Sequence, residues 1–168
     1  MNAEAEKAPI GSDNLRILPF GNGAERMLNN KQTGAQLHNI DLNLHTPAHI
    51  FRAAQEGIAC AFRYGLDIMR ENGMNPTVIR AGRSNMFLSN VFTQSFVNAT
   101  GVPVELYLND GSMGAALGAG IGAGIFLTAE EAFNNLKSIQ RIEPATTNFE
   151  EVYQSWKVIL NEQLSTIK

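Results

Sequence analysis

The sequence predicts an α/β fold built around a parallel βαβ unit, and three observations carry that prediction. Residues 77–81 (TVIRA) form a short, β-branched and apolar run of strand character. Gly82, Arg83, Ser84 and Asn85 make a tight polar turn, after which residues 86–99 repeat apolar side chains at helical spacing until Thr100-Gly101 closes the helix. Residues 102–108 then read as a second strand. Strand, glycine turn, helix and strand in that order favour a parallel pair with a right-handed crossover. Ligands of such sheets sit at the carboxyl ends of the strands, where helix N-termini offer free N–H groups to phosphate or ribose. Gly82, Arg83, Ser84 and Asn85 are therefore a candidate nucleotide site, against the plainer reading of a turn that needs one small residue.

The other elements are marked by their punctuation. Residues 34–60 (GAQLHNIDLNLHTPAHIFRAAQEGIAC) run from a strand into a long helix. Thr46 suits its N-cap and Pro47 its first position, while Gly73 ends it with Arg70 in the last turn. Residues 111–128 carry no charge and contain the small-residue spacings Gly114/Gly118 and Gly118/Gly122, which formally admit a membrane helix. Gly and Ala transfer poorly into lipid, however, and Asp110 and Glu130 flank the stretch closely. The expectation is a buried helix lying close against a sheet, with tertiary contact offsetting a propensity loss of roughly 1 kcal/mol per glycine relative to alanine. Thr128 with Glu131 and Asn148 with Glu151 have capping-box spacing. They open a short helix to Leu136 and a terminal helix to about Leu164, joined by a connector over residues 137–147. Val152, Trp156, Ile159 and Leu160 give the terminal helix an apolar stripe for docking.

Composition agrees with one compact unit. The chain has 168 residues, of which 44% are hydrophobic, enough for a core. A net charge of −3 with scattered cations gives no reason to expect nucleic acid or an anionic membrane as partner. The lone Cys60 excludes an internal disulfide, suits a reducing cytoplasm, and reads as a small buried hydrophobe between Ala59 and Ala61. Met1 precedes an acidic, Ala-rich segment, not the basic and apolar start of a signal peptide.

Few side chains outside the turn invite chemistry. His38, His45 and His49 lie close in sequence, but no Cys or carboxylate completes a zinc pattern, so no metal site is expected. Arg52 and Glu56 are an i, i+4 pair suited to a structural ion pair. The loop over residues 21–26 offers Arg26 either as a phosphate or sugar contact or as an ordinary surface residue.

Three blocks in order carry a resemblance. They are residues 18–26 (LPFGNGAER), the pattern H-x-x-R-A-x-x-E-G at His49, Arg52, Ala53, Glu56 and Gly57, and RAGRSNMFLS with the later acidic-Gly/Ala stretch over residues 110–116. Together they resemble the adenosine-binding end of the FGGY carbohydrate kinases, with wording closest to the xylulose kinase branch, over roughly residues 15–126. The resemblance implies the C-terminal actin-like ATPase (ribonuclease H-like) lobe of a sugar kinase, truncated at its N-terminal strands. In that scheme residues 1–14 lead in, 15–128 form a nucleotide-binding α/β core, and 129–168 form a helical C-terminal extension.

The family's first phosphate loop (D-x-G-T) and its catalytic aspartate belong to the other lobe. Asp13, Asp41, Asp67 and Asp110 stand in neither context, so no catalytic residue is expected here. The resemblance further implies ATP with Mg2+, and a sugar, D-xylulose foremost, bound through an N-terminal lobe absent from these residues. This chain alone would then be inactive. Gly82, Arg83, Ser84 and Asn85 would surround the adenosine. Where the family has Gly-Gly or Gly-Gly-Gly, this chain has Ala81-Gly82, which shifts the contacts by up to one position. A non-catalytic nucleotide-binding module or a homodimerisation surface are the alternatives, since an exposed sheet edge invites pairing with another copy.

Overall fold

Thr46 leaves its backbone extended and Pro47 supplies the first helical residue of α2 (Pro47–Glu71). The Thr46 side chain accepts from the backbone N–H of His49, and His49 Nδ1 accepts in return from Thr46 N at 3.1 Å. This is a capping box in which a histidine takes the part usually played by Glu or Gln. The computed structural model in which this is seen describes residues 1–108, 111–134 and 136–167. Along its buried face α2 carries Ala53, Gly57, Ala59, Cys60 and Ala61. These small residues let a strand lie close: a Cβ on Gly57 would stand 2.2 Å from the Ile17 carbonyl oxygen.

That strand is β1 (Arg16–Phe20), which pairs antiparallel with β2 (Gly34–His38). Its register sets Leu18 opposite Gln36. A second sheet has three strands, with the middle position taken by the second of them in chain order. β3 (Ile79–Gly82) and β4 (Val104–Tyr107) run parallel, as the βαβ reading expects, with Ile79 opposite Val104 and Gly82 opposite Tyr107. β5 (Ser138–Ile142) adds antiparallel to β4. Among the described residues the outer edge of β3 has no partner strand.

Several boundaries differ from the sequence reading. The crossover helix α3 (Asn90–Thr100) begins four residues later than Met86, because Asn85–Leu88 wind as a 3-10 turn and Ser89 supplies the N-cap. Residues 137–147 are not a plain connector, since β5 lies within them. β5 is an exposed edge strand without a continuous apolar face, held by the cross-strand pair Glu105 and Arg141, 2.9 Å apart. The terminal helix α6 (Phe149–Thr166) forms, but Asn148 does not cap it through its side chain; Phe149 N instead bonds Thr147 Oγ1 at 3.3 Å. Thr128 does cap the short helix α5 (Ala129–Phe133), accepting from Glu131 N at 3.1 Å, though the helix stops short of Leu136.

The Gly/Ala helix is the largest departure. α4 (Gly111–Gly122) forms, but of its residues only Gly120 is buried, against the Phe126 ring. It therefore does not lie inside against a sheet. Asp110, which would open it in the family pattern, falls outside the described residues. No described helix is long and apolar enough to cross a membrane.

The main core lies where α2, α3, α6, β1 and β4 meet. Leu18, Phe20, Cys60, Phe92, Val97, Leu106, Tyr153 and Trp156 fill it. The expected stripe of α6 buries Val152, Trp156 and Leu160, with Ile159 packed at the margin. Trp156 Nε1 donates to the Ile17 carbonyl at 2.9 Å, tying the terminal helix to β1. Burial pushes the Cys60 thiol far up its range, as expected of a packing residue.

The start of the chain, including helix α1 (Asn2–Ala5), is clamped to α2. Gly11, Ser12, Asp13 and Asn14 all take positive φ, from 82° at Gly11 to 47°, 48° and 71° at the next three. Such a run of left-handed residues is costly unless held from outside. Glu56, buried at 2% exposure, holds it: Glu56 Oε1 accepts from Gly11 N at 3.0 Å and from Arg52 Nε at 2.8 Å, and Oε2 from Ser12 Oγ at 3.3 Å. The Arg52–Glu56 pair is thus structural.

Candidate nucleotide site

β3 delivers the chain to the turn, and backbone hydrogen bonds shape the reversal. Arg83 N donates to the Tyr107 carbonyl at 2.8 Å, extending the β3–β4 ladder by one residue. Ser84 N then reaches back to the Gly82 carbonyl at 2.8 Å, which turns the chain. Ser84 returns to extended backbone and Asn85 enters the left-handed region with φ 50°, a conformation that asparagine tolerates better than most residues. Phe87 N bonds the Ser84 carbonyl at 3.1 Å, and Ser89 caps α3 by accepting from Phe92 N at 3.4 Å.

Gly82, Arg83, Ser84 and Asn85 therefore form one corner at the carboxyl end of a parallel strand, with Arg83 and Asn85 exposed and Gly82 and Ser84 half-buried. Among the described residues, the Arg83 guanidinium, the Ser84 hydroxyl and the Asn85 amide have no hydrogen-bond or ion-pair partner. They are free donors. The corner faces two clefts. Gly82 lines one of about 650 Å³, with Ala81, Tyr107, Glu130, Phe133 and Asn134 around it. Arg83 lines another of about 240 Å³, with Asn90, Thr93, Gln94, Leu106 and Gln140. Leu106 lines the smaller cleft and its neighbour Tyr107 the larger one. The four predicted residues are contiguous, but they do not converge on a single pocket, and Ser84 and Asn85 line neither cleft.

The larger cleft contains residues that sequence reasoning missed. Tyr107 stands at the carboxyl end of β4, and the strand-end rule that singled out Gly82 applies to it equally. Its hydroxyl donates to Glu105 Oε2 at 2.9 Å, and Glu105 also meets Arg80 at 3.3 Å. The hydrogen bond from Tyr107 leads the effects that hold the Glu105 carboxyl below the ordinary glutamate range, with Arg80 and Arg141 assisting. Glu130, Phe133 and Asn134 come from α5 and the residue after it, and reach the cleft only through tertiary packing.

Arg26 is exposed in the 3-10 turn Arg26–Leu28. Its neighbour Met27 and Phe87 from the turn line the same apolar groove of about 560 Å³, so the two loops border one surface. The histidines are engaged structurally. His45 Nδ1 accepts from Asp41 N at 2.9 Å and its Nε2 meets the Asp13 carbonyl at 3.1 Å. His49 Nε2 meets Asp13 Oδ2 at 3.0 Å. His38 pairs with Gln36. No three described His, Cys, Asp or Glu residues gather as metal ligands.

This arrangement of a parallel pair, a reversing turn and a capped helix has counterparts in known proteins. Residues 1–125 match the C-terminal domain of the FGGY family of carbohydrate kinases. The chain belongs to that family. It is 38% identical over 80 residues to the xylulose kinase of Haemophilus influenzae, a match covering 48% of this chain and 16% of that protein. The fold is shared with solved FGGY kinases. A xylulose kinase from Rhodospirillum rubrum superposes with a TM-score of 0.79 at 24% identity, covering 96% of this chain and 33% of that one. A ligand-bound xylulose kinase from Lactobacillus acidophilus gives 0.81 at 20% identity, over 95% and 33%. Plasmodium falciparum glycerol kinase with ADP gives 0.76 at 19% identity, over 97% and 33%. This FGGY domain thus spans about a third of the solved chains it matches.

Proposed function

We propose that this chain supplies the nucleotide-binding half of an ATP-dependent sugar kinase. The observation that carries the reading is the partly exposed corner at the carboxyl end of β3. The side chains of Arg83, Ser84 and Asn85 offer donors that have no partner among the described residues, and Gly82 of the same corner lines a cleft with Tyr107. Adenosine needs such donors for ring nitrogens and ribose, with an apolar wall for the base. Ala81 and Phe133 supply that wall.

The full reaction would move the γ-phosphoryl group of ATP, escorted by Mg2+, onto a sugar hydroxyl. Phosphoryl transfer of this kind depends mainly on positioning and electrostatic stabilisation. This chain's share is to orient the nucleotide. The base that takes the hydroxyl proton, and most sugar contacts, belong in this reading to polypeptide beyond residues 1–168, as the threefold greater length of the relatives allows. Residues 1–168 alone are then expected to be inactive. D-xylulose is the favoured substrate on the likeness to the Haemophilus influenzae enzyme, the exposed Arg26 is taken to add a phosphate or sugar contact, and the lone buried Cys60 favours the cytoplasm.

Calorimetric titration with MgADP tests the reading. Binding that Asn85→Ala weakens by roughly three- to tenfold, the worth of about one hydrogen bond, supports it. A folded chain that binds no MgADP counts against it. A second reading, a self-associating module, rests on the unpaired edge of β3 beside the apolar groove. It predicts concentration-dependent association indifferent to nucleotide.

A further inference from the structure

The corner that carries the nucleotide reading is a loop held at two ends. Its first end is the ladder bond from Arg83 N to Tyr107. Its second is Ser89, which closes the 3-10 turn through Ser89 N to the Met86 carbonyl at 3.0 Å and opens α3 as N-cap. The carbonyl of Ser89 also accepts from Thr93 N at 2.9 Å and Thr93 Oγ1 at 2.8 Å. Besides the packing of α3 on α2, one side-chain bond ties Ser89 directly to α2. Its hydroxyl donates to Gln55 Oε1, on α2, at 2.6 Å across a sequence separation of 34. Both residues are 3% exposed.

Gln55 is an unusual choice for that place. Its Nε2 is buried and has no partner among the described residues. A buried amide with one half unsatisfied costs more than an apolar side chain of the same length. Stability alone therefore does not account for a glutamine here, whereas fixing the loop's far end does. Phe87, whose ring meets those of Phe92 at 5.3 Å and Phe96 at 5.4 Å, holds the loop only by non-directional contact. The direction comes from the hydrogen bond.

We infer that Gln55 is a positioning residue for the nucleotide corner: acting through Ser89, it sets where residues 84–88 stand relative to the clefts. The inference rests on the nucleotide reading of that corner for its functional half, and on geometry alone for its structural half. Gln55→Met removes the acceptor and the unpaired donor together at nearly constant length, so the fold should survive with little change in melting temperature.

Two measurements on the intact chain test it. In Gln55→Met, amide hydrogen exchange over residues 85–92 should quicken at least tenfold while exchange in α6 stays unchanged, and MgADP affinity should fall at least threefold. Ser89→Ala, which removes the α3 N-cap as well, should give at least that local quickening, and adding Gln55→Met to it should change little. Unchanged exchange over residues 85–92 in Gln55→Met, which leaves the Ser89 cap in place, overturns the anchor. Quickened exchange with unchanged MgADP affinity overturns the positioning role and leaves a structural bond. If the unaltered chain binds no MgADP, the nucleotide reading fails, and exchange alone then upholds or overturns the anchor. If Gln55→Met does not fold, Gln55→Leu, which likewise leaves the Ser89 cap in place, decides by the same readouts.

Discussion

The Tyr153 hydroxyl on α6 donates to Asp67 Oδ2 on α2 at 2.7 Å, joining residues 86 positions apart. The same carboxylate takes Arg63 Nε at 2.7 Å and Arg70 Nη1 at 3.2 Å on Oδ1. Those two arginines reach on to the end of α3: Arg63 donates to the Ala99 carbonyl, and Arg70 Nη2 to the Thr100 carbonyl at 2.8 Å. Asp67 thus joins three helices at the point where α3 has its unsatisfied carbonyls. Arg63 also lies over the Tyr153 ring at 4.8 Å.

Tyr153→Phe should destabilise the domain by about 1.5–3 kcal/mol, the range for a hydrogen bond to a charged group. The ring packing is retained, so the loss belongs to the hydroxyl. Urea unfolding followed by Trp156 fluorescence reads it, and a loss under about 0.5 kcal/mol would detach Tyr153 from the network.

Acid should weaken the domain through the same carboxylate. Burial works to raise the Asp67 pKa, but the bonds from Tyr153, Arg63 and Arg70 outweigh it and hold the group below the usual aspartate range. The folded pKa lies below the unfolded value of about 3.9, so below that pH the unfolded chain binds more protons. Stability from Asp67 is complete above about pH 4 and drains as pH falls through the folded value. The urea midpoint should drop steeply below about pH 4, and Asp67→Asn should flatten that drop while lowering stability at pH 7.

Glu56→Ala should cost about 3–5 kcal/mol, because it strands Arg52 and releases the left-handed turn over residues 11–14. Besides lost stability at pH 7, limited proteolysis should open first within that turn. Equal susceptibility in the variant and the unaltered chain would refute the clamp.

Gly57→Ala should cost about 1–3 kcal/mol or more, since the new methyl would press on the Ile17 carbonyl and force β1 from α2. That shift also disturbs the bond from Trp156 to Ile17, so the tryptophan emission should move to the red. A stable variant with unchanged emission would mean the two elements have more room than the 2.2 Å approach implies.

Much of the fold could be read in the chain because the signals were local. The β-branched run before Gly82 and the second run after Gly101 named β3 and β4 by side-chain shape, and Thr46-Pro47 marked the start of α2 by its cap. The stripe of Val152, Trp156 and Leu160 marked the buried face of α6. β5 was hidden because an exposed edge strand needs no apolar alternation, only a neighbour with free N–H and C=O groups. Asn85–Leu88 repeat apolar residues as a helix does, yet the reversal at Ser84 leaves room only for a 3-10 turn before Ser89 can cap. The Gly/Ala run of α4 was legible as a helix and illegible as to burial, since small apolar residues serve an exposed surface as readily as a tight interface.

The family, the parallel pair and the glycine corner were all present in the sequence, because each is written in residues adjacent along the chain. Folding in three dimensions was needed to turn Gly82 and Arg83 toward different clefts, to let Glu56 secure a left-handed turn some 45 residues away, and to bring Gln55 to Ser89. Those contacts depend on the distance of closest approach between α2 and its neighbours. That distance is set by packing of the whole core, a quantity no local stretch of residues contains.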